Sequence, residues 1–334
     1  MPLLPLNHSI SRRAAIGALG LGLLLPGPVV HSQQRPARLG WLLGGTNGRT
    51  ASFNAAFERR LKDSGFVEGK NLSIDLAFAE GKAERLAPLA RDLVARKPDV
   101  LFVGGPEPYL KALTEATDSV PIVVCATDFD PHAKGYVVSL ARPGKNITGV
   151  HLQQIEITGK RLELLRDLLP TARRVSVFSD NNTEDQLEAA QKAALILKLE
   201  LNVVKLRDMP YDYAAAMKLV RAARSEGLLV LMSPNFFVGR ENLAAEAGKH
   251  KLPTVFGLRQ FVGAGGLASY GAPIDPLYER AADFVVKIIK GVSPSTLPME
   301  QPTKFETALN FNVAKALGLK IPQGVLVRVT NPVE

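Results

Sequence analysis

Strand-like and helix-like runs alternate from residue 37 onward, and no other feature constrains the fold as tightly. Arg38–Leu43 reads as a strand, Gly44-Gly45-Thr46-Asn47-Gly48 as a loop, and Phe53, Phe57 and Leu61 recur at helical spacing. Leu72, Ile74, Leu76 and Phe78 alternate with Ser73, Asp75 and Ala77, as in a half-buried strand. Val100-Leu101-Phe102-Val103 is continuously apolar, which suits a strand covered on both faces. Pro108 falls where the first turn of a helix tolerates a missing N–H, and Ile122–Cys125 reads as a further strand. A second set follows: Leu162, Leu165 and Leu169 on one helical face, then strands at Val175–Phe178, Leu201–Leu206 and Leu228–Met232. Helices are expected at Tyr213–Arg224 and Arg240–His250. Thr183 with Gln186 predicts a capping box, and Asp275-Pro276 an N-cap with proline at the first helical position.

Short apolar strands alternating with helices imply parallel sheets with helices on both faces. The 334 residues hold too many such units for one sheet and suit two lobes of roughly 100–200 residues each. The expected class is α/β with two doubly wound lobes joined by a hinge. The first lobe takes residues 33–149 plus about 272–298, and the second takes 150–271 plus about 299–334. Chain crossings are expected near Thr148–Val150, Gly271–Asp275 and Pro294–Pro302.

Residues 1–32 hold no Asp or Glu. Arg12 and Arg13 precede an apolar run, Ala14–Leu25, which Pro26-Gly27-Pro28 breaks. This predicts a secretory signal peptide ending near Ser32, with Ser11-Arg12-Arg13 resembling a twin-arginine signal and Sec export left open. The run is shorter than the roughly 20 residues a spanning helix needs. The mature chain is therefore expected in the periplasm, as a monomer. The formal charge is +9, but Lys and Arg are interspersed with Glu and Asp, so a solvated surface is expected and no nucleic-acid partner.

Open α/β sheets bind ligands outside the carboxyl ends of their strands. That rule selects Gly45, Thr46, Asn47, Gly105, Pro106, Glu107, Asp130, Asn181, Asn182, Asn235, Phe236 and Tyr270 as candidate ligand-binding residues. Asp128 and Phe129 lie in the same loops. The glycine loop and the start at Asn182-Thr183 offer N–H groups to an anion, and Asp130 or Glu107 an acceptor to an amine. Phosphate-loop spacings are missing, so no nucleotide cofactor is expected. His8, His31, His132, His151 and His250 show no ligand spacing, so no metal is expected. Ser269 lies in L-A-S-Y-G, which lacks the first glycine of a nucleophile elbow. Cys125 and Trp41 read as core, and no catalytic residue is assigned.

Several blocks resemble those of a known family. They are Gly65-Phe66-Val67-Glu68-Gly69-Lys70-Asn71, S-L-A-R-P-G-K-N-I-T-G at Ser139–Gly149, and G-K-R-L-E-L-L at Gly159–Leu165. G-G-L-A-S-Y-G at Gly265–Gly271, Gln301–Glu306 and Ala316–Leu319 complete the set. Together they resemble the substrate-binding proteins of ABC transporters, typified by tryptophan/tyrosine-type binding proteins. The resemblance implies two Rossmann-like lobes of the periplasmic binding protein kind, type I topology, closing on a solute. It also implies no enzymatic activity and partners in a membrane permease and ATPase, while the anion and amine partners on offer in the cleft loops lead us to expect an amino-acid-like solute or organic acid. The alternative is an exported α/β enzyme or a ligand-sensing partner of a membrane receptor. Two exchanges fall at the expected cleft. Gly104-Gly105-Pro106-Glu107-Pro108 stands where the family has G-T-P-A-A, and Phe129-Asp130-Pro131 where it has G-D-P.

Overall fold

In a computed structural model of the chain, residues 35–45 and 52–334 are described. The expected signal segment and the loop residues Thr46 and Asn47 lie outside them. The first half runs β1 (Ala37–Leu43), α1 (Ser52–Asp63), β2 (Leu72–Phe78), α2 (Leu86–Ala95), β3 (Val100–Gly105), α3 (Glu107–Ala116), β4 (Ile122–Ala126) and β5 (Ile147–His151). Then come α4 (Gln154–Leu168), β6 (Arg174–Ser179), α5 (Glu184–Leu197), β7 (Glu200–Lys205), α6 (Tyr213–Ala222), β8 (Gly227–Val230), α7 (Pro234–Val238), α8 (Arg240–Lys249), β9 (Thr254–Phe256), α9 (Arg259–Gly263) and β10 (Ala268–Gly271). The chain ends with α10 (Ile274–Ile289), β11 (Met299–Glu300), β12 (Glu306–Asn310), α11 (Phe311–Ala316), α12 (Gln323–Leu326) and β13 (Asn331–Val333).

The strands form two sheets, ordered β11-β5-β4-β3-β1-β2 and β13-β12-β10-β9-β8-β6-β7. The first is parallel throughout; in the second, β10 and β12 pair antiparallel. Both repeat one winding, β2-β1-β3-β4-β5 and β7-β6-β8-β9-β10, so the expected two-part α/β architecture is present. Hydrophobic pattern places the strands within each sheet. The continuously apolar β3, β4 and β8 are interior, while β2 and β7 carry alternating polar residues and take the edges.

The chain crosses between sheets after β5, after β10 and after β11. Helix α10 returns to the first sheet and packs along α1, with Arg60 paired to Asp283 at 2.7 Å and Arg59 to Glu279 at 2.6 Å. Beneath it Phe57 stacks on Phe102 at 4.1 Å, and Trp41 lies 4.9 Å from Phe57. Glycine is required at two crossings. At Gly149 (φ 145°) an added Cβ would lie 1.9 Å from the Val124 carbonyl oxygen, and at Gly271 it would lie 2.0 Å from that of Gly257.

Two predicted helix starts form differently. Helix α5 begins after Thr183, but Gln186 is buried and bonds the backbone of Met232 through both ends of its amide. Tying α5 to the end of β8 takes precedence over the capping box. Helix α10 begins two residues early, after Pro273, and Asp275 pairs with Ser52 and Arg259 instead of capping. No helix among the described residues is long and apolar enough to cross a membrane.

Candidate functional site

Each sheet has a switch point where the winding reverses, between β1 and β3 in the first and between β6 and β8 in the second. The loops leaving β3 and β4 meet beside the first. Gly105, at φ 146°, turns the chain into α3, and its carbonyl accepts from the Thr127 amide at 3.2 Å. Thr127-Asp128-Phe129 continues from β4 with all three residues buried. Asp128 is 6% exposed, and its Oδ1 has no hydrogen-bond partner among the described residues; nor has the Thr127 hydroxyl. Burial pushes the Asp128 carboxyl well above the usual carboxylate range. The negative charges of Asp180, Asp185 and Glu107 add to the shift, against one hydrogen bond from its own backbone.

At the second switch point Asp180 is 0% exposed and gathers neutral donors. The Ser233 hydroxyl donates to its Oδ2, as do the Tyr211 hydroxyl at 3.0 Å and Asn235 Nδ2 at 3.5 Å. Oδ1 accepts from the Asn182 amide at 2.8 Å. Asn235 Nδ2 also reaches the Tyr211 hydroxyl at 3.1 Å, so strands β6 and β8 and the loop after β7 are joined in one network.

The two sets face each other. Asp128 belongs to the first sheet, Asp180 and Asp185 to the second, and the charges of the latter two help raise the Asp128 carboxyl. Lys134, on the loop after β4, pairs with Asp185 at 3.1 Å and Glu107 at 3.5 Å, bridging the sheets at the rim. Phe53 on α1 meets Phe237 on α7 at 5.5 Å. Among the described residues no cationic side chain pairs with Asp128 or Asp180.

A second buried polar set sits at the crossings. Arg161 on α4 is 0% exposed, donates from Nε to the Tyr270 carbonyl at 2.8 Å and from Nη2 to Gln154 Oε1, and leaves Nη1 unpaired. Burial pulls its guanidinium down to about 9, still above neutral pH. The His151 ring accepts a long bond from Gln301 at 3.5 Å; burial lowers its pKa, against the charges of Glu156 and Asp130. Arg161 thus joins the segment after β5 to the end of β10, two of the three crossings.

The residues selected from sequence fall in several places. Gly45, Gly105, Pro106 and Glu107 stand at the strand ends, with Pro106 as N-cap of α3 and Glu107 accepting from the Tyr136 hydroxyl at 3.1 Å. Asp130 is occupied locally: its Oδ1 accepts from the His132 amide at 2.8 Å and that of Ala133 at 3.2 Å. Asn181 is exposed. The amides of Asn182 and Thr183, expected to face an anion, are taken by Asp180, and that of Asn235 by Ser233 Oγ. Phe236 is fully buried against Tyr211 at 5.3 Å, and Tyr270 packs on Phe305 at 5.9 Å. Asp180, Ser233, Tyr211 and Arg161 were not selected. Asp180 and Ser233 follow apolar strands directly, so strand-end position marks them; Tyr211 and Arg161 carry no comparable mark.

A family model described as ABC transporter substrate binding protein matches residues 51–333. The chain belongs to this family. Among its relatives is a tyrosine-binding protein of Clostridioides difficile (strain R20291), 25% identical over 268 residues, covering 79% of this chain and 76% of that one. A Streptococcus pneumonia ABC domain solved in complex with L-Trp has a TM-score of 0.78 at 21% identity, covering 89% of this chain and all of the other. The ligand-free, open structure of a substrate binding protein with adhesive properties from Clostridium difficile has a TM-score of 0.63 at 23% identity, covering 89% and 99%. The family is one of solute-binding proteins, and the fold is shared with a periplasmic binding protein from Burkholderia mallei, with a TM-score of 0.57 at 12% identity, covering 78% of this chain and 80% of that one.

Proposed function

We propose that this chain is the extracytoplasmic solute-binding component of an ABC importer, holding a small amine-bearing solute between its two sheets. The observation that carries this reading is the buried Asp128 carboxylate, unpartnered at Oδ1, at the end of a strand of the first sheet. A buried charge without a partner is costly unless something bound supplies one. Tyrosine and tryptophan, named for two relatives, both carry an amine. An organic acid is less well supported, because the amides at Asn182, Thr183 and Asn235 are already engaged.

Binding at both sheets favours the closed arrangement and shifts the population toward it, with the crossings near Gly149, Gly271 and Pro302 as the hinge. The closed form would then dock on a membrane permease with its ATPase. The protein performs no chemistry on the solute in this scheme. Residues 1–32 direct export to the periplasm.

A melting-temperature screen of the full chain against amines, amino acids, carboxylates and sugars tests the reading. A solute at 100 times its Kd stabilises by about 2.7 kcal/mol. That is a shift of about 5–10 °C at roughly 2–4 °C per kcal/mol. Stabilisation by no small solute would contradict the reading. Mass spectrometry of the exported protein tests removal of the leader; finding residues 1–32 intact would oppose it.

A further inference from the structure

We propose that the cleft selects solutes of net positive charge, such as basic amino acids, diamines or arylethylamines, by clamping a cationic nitrogen between Asp128 of the first sheet and Asp180 of the second. The inference rests on the solute-binding reading and names the class of solute.

Three observations carry it. The first is the charge arrangement. Glu107 and Asp128 come from the first sheet unit, and Asp180 and Asp185 from the second. The lysine beside them, Lys134, is committed at the rim to Glu107 and Asp185. The two inner carboxylates therefore have no protein cation among the described residues. The second is the bonding of each acid. Asp180 is oriented by four neutral donors, while Asp128 is 6% exposed and its Oδ1 is unpaired. A carboxylate with open acceptor capacity, within the field of a second one held by neutral donors, suits an ammonium or guanidinium, which has several donors and no acceptor. The third concerns anions. The amides at Asn182, Thr183 and Asn235 serve Asp180 and Ser233, so the turn entering α5 and the start of α7 have no free N–H of these three to offer a carboxylate. A neutral amino acid would bring an anion that these loops do not receive.

The clamp also explains why Asp128 and Asp180 come from different sheets. A cation between them attracts both units, offsetting a like-charge repulsion across the closed cleft. In that way the same nitrogen supplies recognition and closure.

The test is calorimetric titration of the full chain with pairs of similar shape and different charge: L-arginine and L-citrulline, putrescine and 1,4-butanediol, tyramine and 3-(4-hydroxyphenyl)propionate. L-Tyrosine, succinate and glucose complete the set. We expect the cationic member of at least one pair to bind tenfold or more tighter than its partner. Asp128→Asn and Asp180→Asn should each weaken that solute at least tenfold. Asp128→Asn should also raise the melting temperature of the ligand-free protein, an effect that a merely structural carboxylate would not give. Tighter binding of citrulline, tyrosine, a carboxylate or a neutral solute overturns the clamp and leaves the solute-binding reading standing. Destabilisation by Asp128→Asn with affinity unchanged also overturns it. No heat from any probe, together with no melting shift in the broader screen, removes the solute-binding reading and the clamp with it.

Discussion

Asp128 and Asp130 are two residues apart, yet the fold gives them opposite uses. Asp130 closes its own turn onto the amides of His132 and Ala133, whereas Asp128 is turned inward with Oδ1 unpaired. A pH dependence follows from that burial. The carboxyl is raised by desolvation first and then by Asp180, Asp185 and Glu107; Lys134 pairs with two of these, and the Tyr109 hydroxyl feels the Asp128 charge. An acid whose folded pKa is raised contributes stability fully below its unfolded value of about 3.9 and loses it as pH rises through the folded value. The ligand-free wild type should therefore melt below Asp128→Asn at neutral pH, and the gap should close on acidification. Paired melting curves across pH check this; a gap of the opposite sign would count against it. The candidate site was legible as a set of loops, because strand ends are visible in sequence. Which acid in a loop faces inward was not, since a hydrogen bond from one's own turn depends on local backbone geometry.

Among the elements, helix α5 shows a tertiary contact overriding a local signal. Thr183 and Gln186 have the spacing of a capping box, but Gln186 bonds both backbone groups of Met232, at 2.8 and 3.0 Å. Replacing it with Leu strands a buried N–H and C=O, at about 1–3 kcal/mol each. Gln186→Leu should lower the melting temperature by several degrees and shift β8, and with it Ser233, away from Asp180; solute affinity should fall too. An unchanged melting curve would contradict this role. Gly271 offers a second test. Its missing Cβ admits the Gly257 carbonyl, so Gly271→Ala should cost about 1–3 kcal/mol by overpacking at a crossing. Thermal or urea unfolding would register that loss. Strand position was readable from pattern, since β3 and β4 are apolar throughout while β2 alternates. The starts of α5 and α10 were not, because a long-range partner decided each.

In the whole molecule, alternation of short strands and helices sufficed to indicate two wound sheets, because that pattern has few compact solutions. The short later elements α7, α9, β11 and β13 lacked a clear period and emerged only in the folded chain. The three crossings, Lys134 reaching Asp185 and Phe53 meeting Phe237 tie the two sheets together, and the proposed capture depends on that relation. Small-angle scattering of the full chain, with and without a saturating concentration of the solute that most raises its melting temperature, addresses that relation directly. The account predicts a smaller radius of gyration when solute is bound. An unchanged radius at saturation would contradict capture by closure of one sheet unit onto the other.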